Sequence, residues 1–150
     1  MDRHRLPAVD IVHELEAIPW PIPASSVSEV KAHHVLEHLH NLIGVMEEVH
    51  RVLEADGTFR ITVPYYRHEG AFADPTHVRF FTEHTFDYFS PVNPLNYYSV
   101  ARFKVVQMKF GWMGILAWHI DRHAPRALQG LLHRVLLNRK YTLNFVLGKM

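Results

Sequence analysis

The stretch Val30 to Pro64, VKAHHVLEHLHNLIGVMEEVHRVLEADGTFRITVP, constrains this chain more than any other. It reads as an apolar strand over Val30 to Val35, a turn, an amphipathic helix, a stop at Asp56-Gly57, and a second apolar strand over Thr58 to Val63 closed by Pro64. In the helix Leu42, Val45, Met46, Val49, Val52 and Leu53 recur three and four apart and share one face, while Glu47, Glu48 and Arg51 take the other. A strand, a crossover helix and a strand make a β-α-β unit. Its strands are therefore expected to be parallel, its crossover right-handed, and its sheet covered by helices.

With 150 residues, 48% of them hydrophobic, the chain can bury the core of one domain. Sixteen Lys and Arg against fifteen Asp and Glu leave a formal net charge of +1, so no nucleic-acid partner is expected. Cysteine is absent, which excludes disulfides, thiolate metal sites and a cysteine nucleophile. The first ten residues lack the apolar core of a signal peptide, and no run reaches the roughly 18 to 20 apolar residues of a membrane span, so a cytoplasmic protein is expected.

On either side of the central unit the pattern is more varied. Val9 to Leu15 has the partial alternation of a short strand, and the prolines at 19, 21 and 23 make the next segment an irregular connector. Tyr65 to Phe81 is a polar loop just after a parallel strand, where ligands of open α/β sheets bind. Thr82 is placed to cap a short helix through Phe89, with Phe86 and Phe89 inward. Arg102 to Phe110 and Tyr141 to Leu147 read as two antiparallel strands, joined by a segment in which Leu128, Leu131, Leu132, Val135 and Leu136 form a helical stripe.

This order resembles the later two-thirds of a class I S-adenosylmethionine-dependent methyltransferase. The residues that carry the likeness are Val35-Leu36-Glu37-His38-Leu39, the block EVHRVLEADG from Glu48 to Gly57, and Asp74-Pro75-Thr76-His77. The resemblance implies a Rossmann-like three-layer α/β sandwich, incomplete because strands one and two are missing, with a C-terminal antiparallel strand pair. It divides the single partial domain into a remnant of the cofactor-binding half, 9–64, and a substrate side, 65–150. It implies S-adenosylmethionine as cofactor, a small-molecule nucleophile as substrate, and a cofactor pocket touching Asp2 (at the ribose), Glu14 and Leu15 (near adenine), and His33 and His34 (after strand four). The family's Gly-rich turn has no counterpart, since every glycine is isolated. Glu54-Ala55-Asp56-Gly57 stands where the family commonly has Lys-Pro-Gly-Gly, and the acid usual before strand four is replaced around Ser26 to Ser28.

Asp74 and His77, with His68 nearby, are candidates to orient or deprotonate a substrate hydroxyl or amine, because a neutral imidazole accepts a proton near pH 7. The competing reading is an Asp74-Pro75 turn in which Asp74 bonds backbone amides. His34-Val-Leu-Glu37-His38 also matches the H-x-x-E-H pattern of inverted zinc peptidases. There, however, both histidines sit on one long helix, whereas here the cluster straddles a strand-to-helix turn; capping and packing are expected, and no resident metal. A non-catalytic interaction or oligomerisation module is the alternative to an enzyme. An unpaired apolar Val30 to Val35 edge favours self-association, and the tryptophan-bearing, then basic, stretch 110–140 could touch a membrane surface or cover the sheet.

Overall fold

The computed structural model describes residues 1–111, His123, Pro125 and 142–150. Four strands, β1 (Val27–His33), β2 (Leu53–Pro64), β3 (Phe103–Phe110) and β4 (Thr142–Lys149), form one sheet in the order β1-β2-β4-β3. The helix α1 (Leu42–Val52) connects β1 to β2, which pair in parallel, whereas β4 runs antiparallel to both β2 and β3. The β-α-β unit and the late antiparallel pair are therefore present.

The sheet's register follows from side-chain alternation. Phe59, Ile61 and Val63 lie opposite Leu147, Phe145 and Leu143, and all six are essentially inaccessible. Each such cross-strand apolar pair contributes roughly 0.2–1 kcal/mol beyond Ala–Ala. On the other face Thr62 Oγ1 donates to Asn144 Oδ1 at 2.9 Å. The predicted apolar face of α1 closes the same core with Leu42, Val45, Met46, Val49 and Val52. Phe81, Phe86, Phe89 and Phe103 extend it, Phe86 packing edge-on to Phe145 at 4.8 Å between ring centres.

Several boundaries differ from expectation. The first strand ends at His33, because His34 takes a left-handed backbone with φ of 52° and breaks the extended chain. The second begins directly after the helix at Leu53. Val27 pairs with Leu53 and Glu29 with Thr58, so Glu54 to Gly57 form a bulge within β2 where a clean stop was expected. Val9 to Leu15 is not a strand: Val12 forms only an isolated parallel bridge to Asp2. Alternation alone does not make a strand where no neighbour supplies a ladder. The element before Ser90 is a 3-10 turn over Thr85–Phe89, with Phe86 and Phe89 inward as expected.

Glu48 is the clearest departure from the helix reading. It is buried, because the Pro-rich connector folds across it: Trp20 N donates to its carboxylate at 2.9 Å, and Trp20 itself sits in the core. Glu47, also expected in water, accepts from Ser99 Oγ and Val100 N and so ties down the approach to β3. The Leu128 to Leu136 helix and most of 110–140 lie outside the described residues, and no described helix is long and apolar enough to cross a membrane.

Candidate functional site

Both parallel strands end at one cleft of about 650 Å³, to which β1 leads through His34 and β2 through Pro64. The chain turns sharply at His34 and enters a 3-10 turn over Leu36–His38, which places Glu37 and His38 in the cleft wall. The loop after β2 forms the other side with His68, Asp74 and His77.

Backbone bonds clamp the two sides together. The Glu37 carbonyl accepts from both Val78 N (2.8 Å) and Arg79 N (3.1 Å), and Arg79 Nε donates to the Leu39 carbonyl at 2.9 Å. VLEHL and DPTH, which are remote in sequence, are thus one structural unit.

Inside the cleft, Glu37 is completely buried, and its Oε1 receives His34 Nδ1 at 3.0 Å. Its Oε2 has no hydrogen-bond partner among the described residues. His38 Nδ1 lies 2.9 Å from Thr76 Oγ1 and 3.3 Å from the Thr76 carbonyl. Thr76 gives its single hydroxyl proton to Asp74 Oδ1 at 2.6 Å, so its oxygen accepts from His38 Nδ1–H. Asp74 Oδ1 also accepts Thr76 N, and these bonds to Thr76 hold its carboxyl below the usual carboxylate range. His77 Nδ1 donates to the Ala71 carbonyl at 2.9 Å, and its Nε2 stands 3.8 Å from Asp74 Oδ2. The His38 and His77 rings meet edge-to-face at 4.9 Å.

Asp74, His77 and His68, named from sequence as catalytic candidates, all line this cleft. Asp74 also makes the turn proposed as its alternative role. His68 Nδ1 accepts Gly70 N at 3.0 Å and caps the short turn Glu69–Ala71. Sequence reasoning did not single out Thr76, which links His38 to Asp74, or the unpaired Glu37 oxygen; a polar residue beside each histidine in the two motifs was the available signal. Tyr65, packed against the core just after β2, is pushed up to about 12 by burial, with Glu83 adding to the effect, and keeps its proton.

The residues named for cofactor contact divide between two places. His34 lies in the polar cleft; Leu15 lies with Trp20, Val27, Val30 and Leu36 in a separate, largely apolar cavity of about 260 Å³ along β1. His33 at the end of β1 and Glu14 beside Leu15 are both exposed. The Asp2 carboxylate accepts the His4 amide, and the Leu15 carbonyl accepts the Trp20 indole. No described glycine has positive φ. Split in this way, with only His34 and Leu15 lining a cavity, these residues do not by themselves fit S-adenosylmethionine.

Residues 2–61 match the sequence model of a family described as a methyltransferase domain. Its span covers VLEHL, the RVL block and most of the parallel β1-α1-β2 unit. The fold is the class I methyltransferase fold, incomplete. Similar solved structures include an S-adenosylmethionine-dependent methyltransferase from Archaeoglobus fulgidus (14% identity, TM-score 0.53, covering 85% of this chain and 62% of that one). Another, from Mesorhizobium loti, is 13% identical with TM-score 0.53 and covers 91% of this chain and 67% of that one. A third is the [4+2]-cyclase SpnF, at 16% identity and TM-score 0.51, covering 87% of this chain and 52% of that one. The chain thus spans between about half and two thirds of the length of these proteins. No curated protein matches it.

Proposed function

We propose that this methyltransferase-like chain supplies the acceptor side of an S-adenosylmethionine-dependent methyltransferase domain, residues 65–150 with the VLEHL turn binding a small-molecule nucleophile. The observation that supports the reading is the position of His77. Its Nδ1–H is committed to the Ala71 carbonyl, which leaves the Nε2 lone pair in the cleft at the carboxyl ends of both parallel strands. A hydroxyl or amine held there would give its proton to Nε2, and Asp74, kept ionised by Thr76, would stabilise the resulting imidazolium. His68 and His38 would orient the acceptor.

S-adenosylmethionine supplies the methyl group in such domains. Here His34 would contact it from the cleft and Leu15 from the cavity along β1, with His33, Glu14 and Asp2 outside both, so no step is routed through it. Titration with S-adenosylhomocysteine measures how far these contacts suffice; one-to-one heat would show a whole site. The acceptor role is tested with a library of small alcohols and amines, followed by histidine ring resonances. His77 and His38 are expected to shift while exposed His84 does not, and a library that moves no cleft histidine would overturn the reading.

A second reading, an interaction module, is favoured by one observation: β1 is an edge of the sheet, with β2 its only described neighbour.

A further inference from the structure

We propose that Glu37, His38 and His77 form a divalent-metal site in the wall of the cleft, taking Zn²⁺ or a similar first-row cation through one carboxylate oxygen and two imidazole nitrogens. One ligand atom from each of the three residues lies within 4.8 Å of the others. Two ligands on a tetrahedral zinc sit about 3.4 Å apart, given bonds of about 2.0–2.2 Å, so closing the set takes side-chain adjustments of about an ångström.

Three further features point to a ligand. Glu37 is fully buried, yet its Oε2, in the cleft wall, has no hydrogen-bond partner among the described residues. Leaving such an acceptor unpaired is costly, the more so if it is charged, and a cation removes that cost. Both histidines, moreover, are oriented as metal ligands usually are: His77 Nδ1–H donates to the Ala71 carbonyl, and His38 Nδ1–H donates to Thr76. Each leaves its Nε2 as the remaining lone pair, the arrangement in which an outer partner fixes the tautomer. Finally, the outer partners are themselves held, Thr76 by Asp74 and Glu37 Oε1 by His34. Neighbouring His33 and His40 are exposed and do not line the cleft.

The arrangement differs from the H-x-x-E-H peptidase pattern. Glu37 occupies a ligand position, and the second imidazole comes from the Asp74-to-His77 loop, while His34 supports Glu37 from behind. One carboxylate and two imidazoles leave coordination positions for a substrate oxygen or water. The inference stands apart from the acceptor reading, in which His77 takes a proton, because a ligated Nε2 is no longer a base. Zinc and protons therefore compete for it, and affinity should fall as the pH is lowered.

The test is titration of chelator-treated full-length chain with Zn²⁺ alone by calorimetry, and with Co²⁺ alone by visible absorption. One tight ion per chain is expected. His38→Ala and His77→Ala should each weaken it at least tenfold, as should Glu37→Gln, which keeps the size of the side chain. His84→Ala removes a surface histidine paired to Asp87 outside the cleft and should change nothing. Circular dichroism establishes that each variant is folded, and the partly exposed His38 position provides a variant that does not disturb the core. No stoichiometric uptake by the folded wild type would overturn the site. So would uptake that is equally tight in the His38→Ala/His77→Ala double variant, since that would be adventitious binding by the chain's other histidines.

Discussion

Arg51 donates two hydrogen bonds of 2.8 Å to the Glu48 carboxylate one turn behind it on α1, and the same guanidinium reaches the carbonyls of Trp20 and Ile22. Glu48 completes the knot by accepting the Trp20 amide. The pair is thus the fastener between the helix and the Pro-rich connector. Arg51 holds the Glu48 carboxyl below its ordinary 4.5. A carboxyl depressed in the folded state contributes stability that is present above that ordinary value and lost as pH falls through the folded one. Glu48→Gln is expected to destabilise the protein by about 1–3 kcal/mol at pH 7, the range for hydrogen bonds to charged groups. The deficit should shrink below about pH 4.5, as urea unfolding at pH 7 and pH 3.5 would measure. An equal deficit at both values would exclude an ionic role.

Gly57 is the last residue of the bulge in β2 between Leu53 and Thr58, and it is buried. A Cβ built there would lie 2.9 Å from Leu53 Cδ2 and 3.0 Å from the Glu54 carbonyl. Leu53 is fully buried and cannot swing into water, and the carbonyl is backbone. Gly57→Ala should therefore cost about 1–3 kcal/mol through overpacking. The β1–β2 register should survive, because Glu29 to His33 pair with Thr58 to Thr62 independently of the bulge. Thermal unfolding reads the first outcome and backbone chemical shifts the second.

The parts of the fold visible in sequence are those where the local pattern and the tertiary environment agree. The α1 stripe and the Phe59-Ile61-Val63 alternation each meet a core on the expected side. Glu48 was misread because helical periodicity places it with Arg51 on the polar side, and only the connector, packing Trp20 over that side, buries it. Val9 to Leu15 was misread as a strand for the opposite reason: an extended pattern found no ladder beyond Asp2. In the site, the cleft's position followed from the strand-end rule, and His34, His68, Asp74 and His77 were all found in it. The apposition of Glu37 and His77 depends on the Val78 and Arg79 amides meeting one carbonyl, a contact with no local signature.

Arg79 should prove a positioning residue. It is bonded to the carbonyls of Leu39 and His40, so it fastens the loop after β2 to the turn after β1 from outside the cleft. Arg79→Ala removes these bonds but leaves the Val78 and Arg79 amides on Glu37 in place. Hydrogen exchange should accelerate across 65–81, and zinc affinity, if the proposed site forms, should fall several-fold through misplacement of His77. Exchange in β4 should be unchanged, since the sheet does not depend on this contact. Arg79→Lys supplies the charge without the planar fork and is expected to rescue little.

The free edge of β1 makes the last prediction. Its outward amides and carbonyls have no described partner strand, and only Glu29 and Lys31 put charge on it, Glu29 being drawn to Lys31 and Arg60 on its own sheet. Paired charges repel a second copy less than free ones would, so the usual protection of an edge strand is weak here. Beside the strand, Val27, Val30 and Ala32 border the apolar cavity that Leu15 and Trp20 cover only partly. Light scattering should therefore show mass rising with protein concentration. Hydrogen exchange of the associated form should show new protection confined to alternate β1 amides, because a strand presents every second amide to each neighbour. Salt should promote the association slightly by screening any residual repulsion. A monodisperse monomer at high concentration, with β1 amides exchanging freely, would show that the edge is covered by some other means.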